Sequence, residues 1–461
     1  SISTGYDIDN SVKLEYANSE GFSFTNGSTG NGQTWTVSYW FKRTSVGEVF
    51  DIGFGANSGL EVGFFPAGEF YFYSGGYLWK SNALYRDTSA WYHVVVSIDT
   101  TQGTAANRIR VYINGEEVTS LATDAPPSQN TVLKWNVTGA IYYIGYYPFA
   151  NYYSKGYYAD FHSVDGQQLA PTAFGEFDED SGIWKPKAYA GSYGTNGFKL
   201  EFKDSADLAA DTSGNSKSIT ATNIAAADQA TDTPTNNFCT LNQLQLDGTV
   251  INNSATITEG ATKATAKEFD VYNTFASTIG VTSGKWYAEF EYEGNQADNL
   301  VGIADIAAIV PYNSRLGKAG QWSVGLYQAN GKLYITSDSG TTEQASWGAS
   351  AADGDIISVA VDMDNHFIYF AKNGTWQNSG VPTSGATGTG GVAFDSNKTV
   401  GIGCSSYDQG GDEGQIFANY GGFTAGTISS PASDGNNFGT FEYAPPTGYY
   451  ALCTKNLAEY G

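Results

Sequence analysis

The sequence predicts an all-β chain built from two antiparallel β-sandwiches, a jelly roll followed by a second sandwich. Three observations carry this. The apolar segments are short and are separated by Gly, Asn, Ser, Thr and Asp, with 56 glycines and 15% aromatic residues in 461, which is how strands joined by turns read. Many of those segments alternate with a period of two, and helical periodicity is nearly absent. The length exceeds what one compact core holds and suits two or three domains.

In the first half, Thr34 to Arg43 (TWTVSYWFKR) places Trp35, Val37, Tyr39 and Phe41 on one face, as a half-buried strand requires. Strands are likewise expected at Glu61–Phe65, Glu69–Tyr73, Trp91–Asp99 and Arg108–Val118. In the last of these, Asn114-Gly115 between apolar runs marks a type I′ hairpin, since both turn residues need positive φ. In the second half, Ser283–Gly294, Val301–Asp305, Trp322–Tyr334 and Gly354–Trp376 give further strands. Between them, from Asp204 to about Ala230, the chain is rich in Ala, Ser, Thr, Asn and Asp and poor in aromatics, the composition of a surface connection. The expected division is 1–205, a connecting segment 206–235, and 236–461.

Composition also excludes functions. Against 47 acidic residues stand 23 Lys and Arg, a formal charge of −24. Phosphate neutralisation needs a basic stripe and none is visible, so no nucleic-acid partner is expected. Cys239, Cys404 and Cys453 are odd in number and far apart, which predicts buried free thiols rather than a disulfide framework or zinc site. No run approaches the ~20 apolar residues of a membrane span, and the polar start has no signal-peptide pattern. A small Ser1 fits a chain that begins at its true start after removal of an initiator methionine. Without an export signal, the sequons at Asn26, Asn136, Asn252, Asn373 and Asn397 carry little weight.

Four groups of residues bear on chemistry. Glu176–Asp180 (EFDED) lacks the final Glu of a β-glucanase pattern and sits between turn signals, so it reads as a solvated acidic turn. Glu289, Glu291 and Glu293 share one strand face, the spacing of paired carboxylates, but a wet face of an antiparallel strand accounts for them. Asp362, Asp364 and Asn365 lack the following Gly and terminal Glu of a calcium loop and read as a hairpin turn. His93, His162 and His366 are too few and scattered for a nucleophile with its base. Neither catalytic residue, metal nor cofactor is expected.

The strongest binding signal is Ile141–Phe161, which holds four Tyr pairs. In strands such a pair sends one ring inward and one outward. Outward rings around Pro148 and Asn151 would form a platform for sugars or a protein, because tyrosine offers flat apolar area and a hydroxyl at low entropy cost. The candidate surface is Tyr146, Tyr147, Asn151, Tyr152 and Tyr153, joined by Trp79 and Tyr77 from a neighbouring loop.

The motifs also carry resemblances. Trp91, His93, Tyr112, Asn114 and Gly115, with Gly156–Leu169 as a last strand, resemble the laminin G and concanavalin A-like superfamily. Gly284–Tyr287, Gly354–Ile357, Asp362–Asn365 and Phe370–Gly374 resemble the strands and hairpins of an SPRY domain, which implies an interaction sandwich without enzymatic role. The wording of Phe198–Asn242 and of the opening from Gly5 to Phe24 resembles fused lectin-like modules of bacteriophage virion proteins, those of marine phages especially. This resemblance implies a non-enzymatic virion surface protein, either a capsid decoration or head fibre or a tail-fibre component. It implies other particle proteins as partners and a host-surface glycan as ligand, with no membrane insertion and the oligomeric state open. A free lectin and a glycoside hydrolase are the alternatives.

Overall fold

The computed structural model describes residues 5–245, 255–294, 298–306, 314–318, 322–345, 347–409 and 411–461. Ser1 and the sequon at Asn252 lie outside them. The chain divides into two compact units between Thr235 and Asn236.

The first unit is a sandwich of two sheets. Among the described residues, one sheet runs in the order Glu116–Glu117, Ile109–Ile113, Tyr92–Asp99, Thr34–Arg43, Gly156–Asp165, Ser11–Leu14, Gln229–Ala230, with Phe198–Leu200 also on Gly156–Asp165. The other runs Leu121–Asp124, Tyr77–Leu84, Glu69–Ser74, Leu60–Phe64, Asp51–Ala56, Ile141–Ile144, Gly21–Thr25, Thr220–Thr222. Neighbouring strands are antiparallel. The alternation read from the sequence fills the core: Trp35, Val37, Tyr39 and Phe41 meet Phe54, Val62, Phe64 and Phe72, all buried. Asn114 and Gly115 have φ of 51° and 83°, as the hairpin requires. A side chain at Gly115 would also strike the Trp184 ring, 2.2 Å from the position of its Cβ.

Residues 206–235 do not run as a connection; they complete the first sandwich. Thr220–Thr222 pairs with Gly21–Thr25, and Gln229–Ala230 with Ser11–Leu14. The physical reason is charge. Lys42 is fully buried, and Asp232 supplies its carboxylate at 2.7 Å while also accepting from Trp91 Nε1 at 3.1 Å. Lys13 is buried between Glu20 (3.1 Å) and Asp228 (2.9 Å). A buried cation needs a partner, so an aromatic-poor segment is held by carboxylates in addition to the few apolar side chains, such as Leu208 and Ala209, that it puts into the core.

The second unit is another sandwich. One sheet orders Ala255–Thr258, Lys263–Ala266, Gln415–Asn419, Lys285–Glu293, Ile356–Asp362, Phe367–Lys372 and Thr375–Trp376; the other orders Tyr272–Phe275, Val400–Gln409, Leu300–Asp305, Ser323–Tyr327, Leu333–Ser337 and Gly340–Gln344. Trp286, Phe290, Val359, Ile402 and Cys404 lie in its core. Phe238 bridges Cys453, so the segment at Phe238–Asn242 lies beside the one at Ala451–Leu457. The described residues contain one α-helix, Thr454–Tyr460, and no helix long and apolar enough to cross a membrane. All three cysteines are buried and free.

Candidate functional site

Strand parity in the first unit creates an aromatic surface on the outer side of the second sheet. In Glu69–Ser74, Phe70 and Phe72 enter the core, which turns Tyr71 and Tyr73 outward. In Leu60–Phe64 the residues between the core positions are Glu61 and Gly63, and in Ile141–Ile144 the outward ring is Tyr143. The segment after Ile144 folds back as a small hairpin, with Tyr146 opposite Tyr153 and Tyr147 opposite Tyr152. Gly55 lets this hairpin approach, since a Cβ there would sit 2.7 Å from the Leu60 carbonyl oxygen and 3.3 Å from the Tyr147 ring.

The rings interlock. Phe50 stacks on Tyr152 at 4.1 Å, Phe65 lies 4.6 Å from Tyr71, and Tyr77 packs edge-on against Tyr73 (5.2 Å) and Tyr71 (5.9 Å). Tyr147 contacts Phe149 at 5.6 Å and Tyr143 at 6.3 Å. Phe149 and Tyr77 are the exposed rims, at 65% and 47%.

Glu61 sits in this surface, opposite Tyr73 on one neighbouring strand and Gly55 on the other. It is half-buried, and burial alone holds its carboxyl above the usual range. Burial also raises the hydroxyl pKa of Tyr71, Tyr77 and Tyr147, and the Glu61 charge adds to it. The Tyr71 hydroxyl is buried without a hydrogen-bond partner. A carboxylate acceptor, tyrosyl hydroxyls and flat rings together suit a neutral polyhydroxylated ligand: rings stack on C–H faces, and the polar groups fix orientation.

The expected residues fall in several places. Tyr77 joins the surface, but from the strand Tyr77–Leu84 and not from a loop. Trp79 does not join it; the strand turns its ring into the core against Phe70 (5.9 Å). Tyr146 and Tyr147 are buried beneath the hairpin, Tyr152 and Tyr153 are half-buried, and Asn151 is the exposed turn residue with φ of 56°. Sequence reasoning missed Glu61, Phe50, Phe65, Tyr71 and Tyr73. The signal was present in Glu69–Tyr73 (EFYFY), where large rings occupy both faces of one strand.

The other candidate carboxylates have structural roles. Glu289 is not on a wet face: it is 2% exposed, and its oxygens accept from the Tyr287 hydroxyl (2.9 Å) and the backbone N–H groups of Glu442 and Tyr443 (both 2.8 Å). Burial outweighs these donors and pushes its pKa up to about 7. Glu291 accepts from the Thr427 hydroxyl and N–H, and Glu293 pairs with Lys263 at 2.7 Å. The sheet face is covered because the chain beyond Asn419 returns across it. Asp178 closes an acidic turn by accepting from Ser181 and Lys185. Asp362 accepts from the N–H groups of Asp364 and Asn365, a hairpin turn. His93 and His162 are buried, and among the described residues no group of three or more His, Cys, Asp or Glu is arranged to hold a metal ion.

Residues 17–167 match the family described as the concanavalin A-like lectin/glucanases superfamily, a stretch that contains the whole aromatic surface. No curated protein matches the chain. Among solved structures, the SPRY domain of human HERC1 is similar at 17% identity, covering 36% of this chain and 91% of that one, with a TM-score of 0.28. The PSpry domain of TRIM65 follows at 9% identity, 39% and 89% coverage and a TM-score of 0.27. A heptameric SAP-like pentraxin from Limulus polyphemus shows 16% identity, 36% and 80% coverage and a TM-score of 0.27. With scores this low, the two-sandwich architecture rests on the chain's own sheets.

Proposed function

We infer that this chain is a non-enzymatic, saccharide-binding protein of a virion surface, its first sandwich holding the glycan and its second contacting other particle proteins. The observation that carries the saccharide reading is the aromatic surface with Glu61 in it, inside the stretch that matches a lectin and glucanase superfamily. Two features support binding over hydrolysis. Glycoside cleavage uses a pair of carboxyls, and the residues opposite Glu61 on its two neighbouring strands are Tyr73 and Gly55. The triplet Glu289, Glu291, Glu293 is spent on backbone, hydroxyl and lysine partners. The placement on a particle rests on the resemblance of the opening and of Phe198–Asn242 to phage modules.

A glycan array probed with the intact chain tests the saccharide reading. At least one glycan class is expected to bind, with the signal weakened in Tyr77→Ala and Glu61→Gln; no binding to any glycan, or binding indifferent to both changes, contradicts it. Immunogold labelling of purified particles tests the placement. Label on capsids makes the chain a decoration protein, label on tails makes it a fibre component, and its absence from particles leaves a free lectin.

A further inference from the structure

A second groove lies on the opposite sheet of the first unit. The outer face of that sheet is covered on one side by the hairpin Gly175–Phe177 and Trp184–Pro186, and on the other by the segment carrying Asp232. Between these covers remains a groove of about 630 Å³ lined by Trp40, Trp91, Trp184, Phe177 and Ile183. It is not a closed part of the core, since Phe177 and Ile183 are 48% and 52% exposed.

The three indoles differ in one respect. Trp91 Nε1 donates to Asp232 and Trp184 Nε1 to His93 Nδ1 (2.9 Å), whereas Trp40 Nε1 is buried without an acceptor. The Trp40 N–H is shut off from solvent beneath the groove floor, so the ligand-facing polar groups lie at the groove's edge. One wall is Glu116–Glu117, the edge strand of its sheet, whose two side chains are exposed. Arg110 Nη1 lies 3.8 Å from Glu117, a long and solvent-exposed pairing. An edge strand offers unpaired backbone groups to an incoming strand.

We propose that this groove takes an extended basic-apolar peptide segment of a partner protein, added alongside Glu116–Glu117. Its apolar side chain packs on Phe177, Ile183 and Trp184, and its Lys or Arg side chains meet the exposed carboxylates of Glu116 and Glu117. Aliphatic Ile183 and exposed Phe177 favour a peptide over a sugar, whose faces are polar at the rim. The chain's charge of −24 favours a basic one.

The test uses an end-blocked, fluorescein-labelled hexapeptide of alternating isoleucine and lysine, titrated into the intact chain at physiological salt and followed by anisotropy. Binding is expected as a saturable rise in anisotropy. Affinity should drop at least tenfold in E116K/E117K and in I183D, both of exposed residues, each checked for native near-UV circular dichroism. No binding overturns the proposal. So does equal affinity in both variants, equal binding of an isoleucine–glutamate peptide, or displacement by neutral oligosaccharides, which would make the groove a sugar subsite.

Discussion

Glu61 and the tyrosines around it show how one residue type serves two purposes according to strand parity. Tyr142 and Tyr158 are packed in the core between the sheets, whereas Tyr73 and Tyr77 reach an outer surface that the buried Tyr71 underlies. Tyr77→Ala removes an exposed ring and should cost glycan affinity by roughly the 0.5–1.5 kcal/mol of an aromatic contact while leaving the melting temperature within a degree or two of wild type, as calorimetry would read. His93 illustrates the other extreme. Its Nδ1 accepts from Trp184 and its Nε2 lies 2.8 Å from Ser38 Oγ, so the network assigns the proton to Nε2. Protonating Nδ1 would set two donors against each other in a buried site, and burial pushes the pKa down to about 3. The His93 ring signals should therefore stay constant between pH 8 and 5 by NMR; a midpoint near 6.5 would refute the buried assignment.

At the scale of elements, two tail segments owe their positions to carboxylates. Asp232→Ala leaves Lys42 buried without that carboxylate and should destabilise the first unit by about 3–5 kcal/mol in denaturant unfolding. Were 206–235 a mere connection, the change would be silent. In the second unit, Glu289 anchors the returning chain at Glu442 and Tyr443. Its folded pKa of about 7 lies above the unfolded value of 4.5, so the folded state binds more protons between those values. Its contribution is present below pH 4.5 and is lost as pH rises through 7. Wild type should lose stability relative to Glu289→Gln over that window, by an amount on the order of 3 kcal/mol. A difference that stays flat with pH would contradict the burial of this carboxyl. These anchors explain what the sequence could not disclose. Alternation revealed the strands Thr34–Arg43 and Lys285–Glu293, and Asn114-Gly115 revealed its turn, because those signals are local. That Glu289 is covered, that Asp232 meets Lys42, and that Trp79 faces inward while Tyr71 faces outward depend on partners distant in sequence.

For the whole molecule, two sandwiches leave most of the surface in strands and turns, and the excess of acid keeps it wet and self-repelling. The two proposed ligands would sit on opposite sheets of the first unit, a glycan on the aromatic surface at Glu61 and a basic peptide in the groove at Trp184. Legibility followed the same division. The Tyr-rich run supplies the hairpin beside the aromatic surface, whereas Glu61, Tyr73 and Phe65 of that surface come from strands far from it in sequence. The most direct test is titration calorimetry of the intact chain with the strongest glycan from the array, comparing wild type with Glu61→Gln. The account predicts exothermic binding by wild type and an affinity at least tenfold weaker in the variant, about 1.4 kcal/mol. Equal affinity in the two proteins would remove the glycan from this surface.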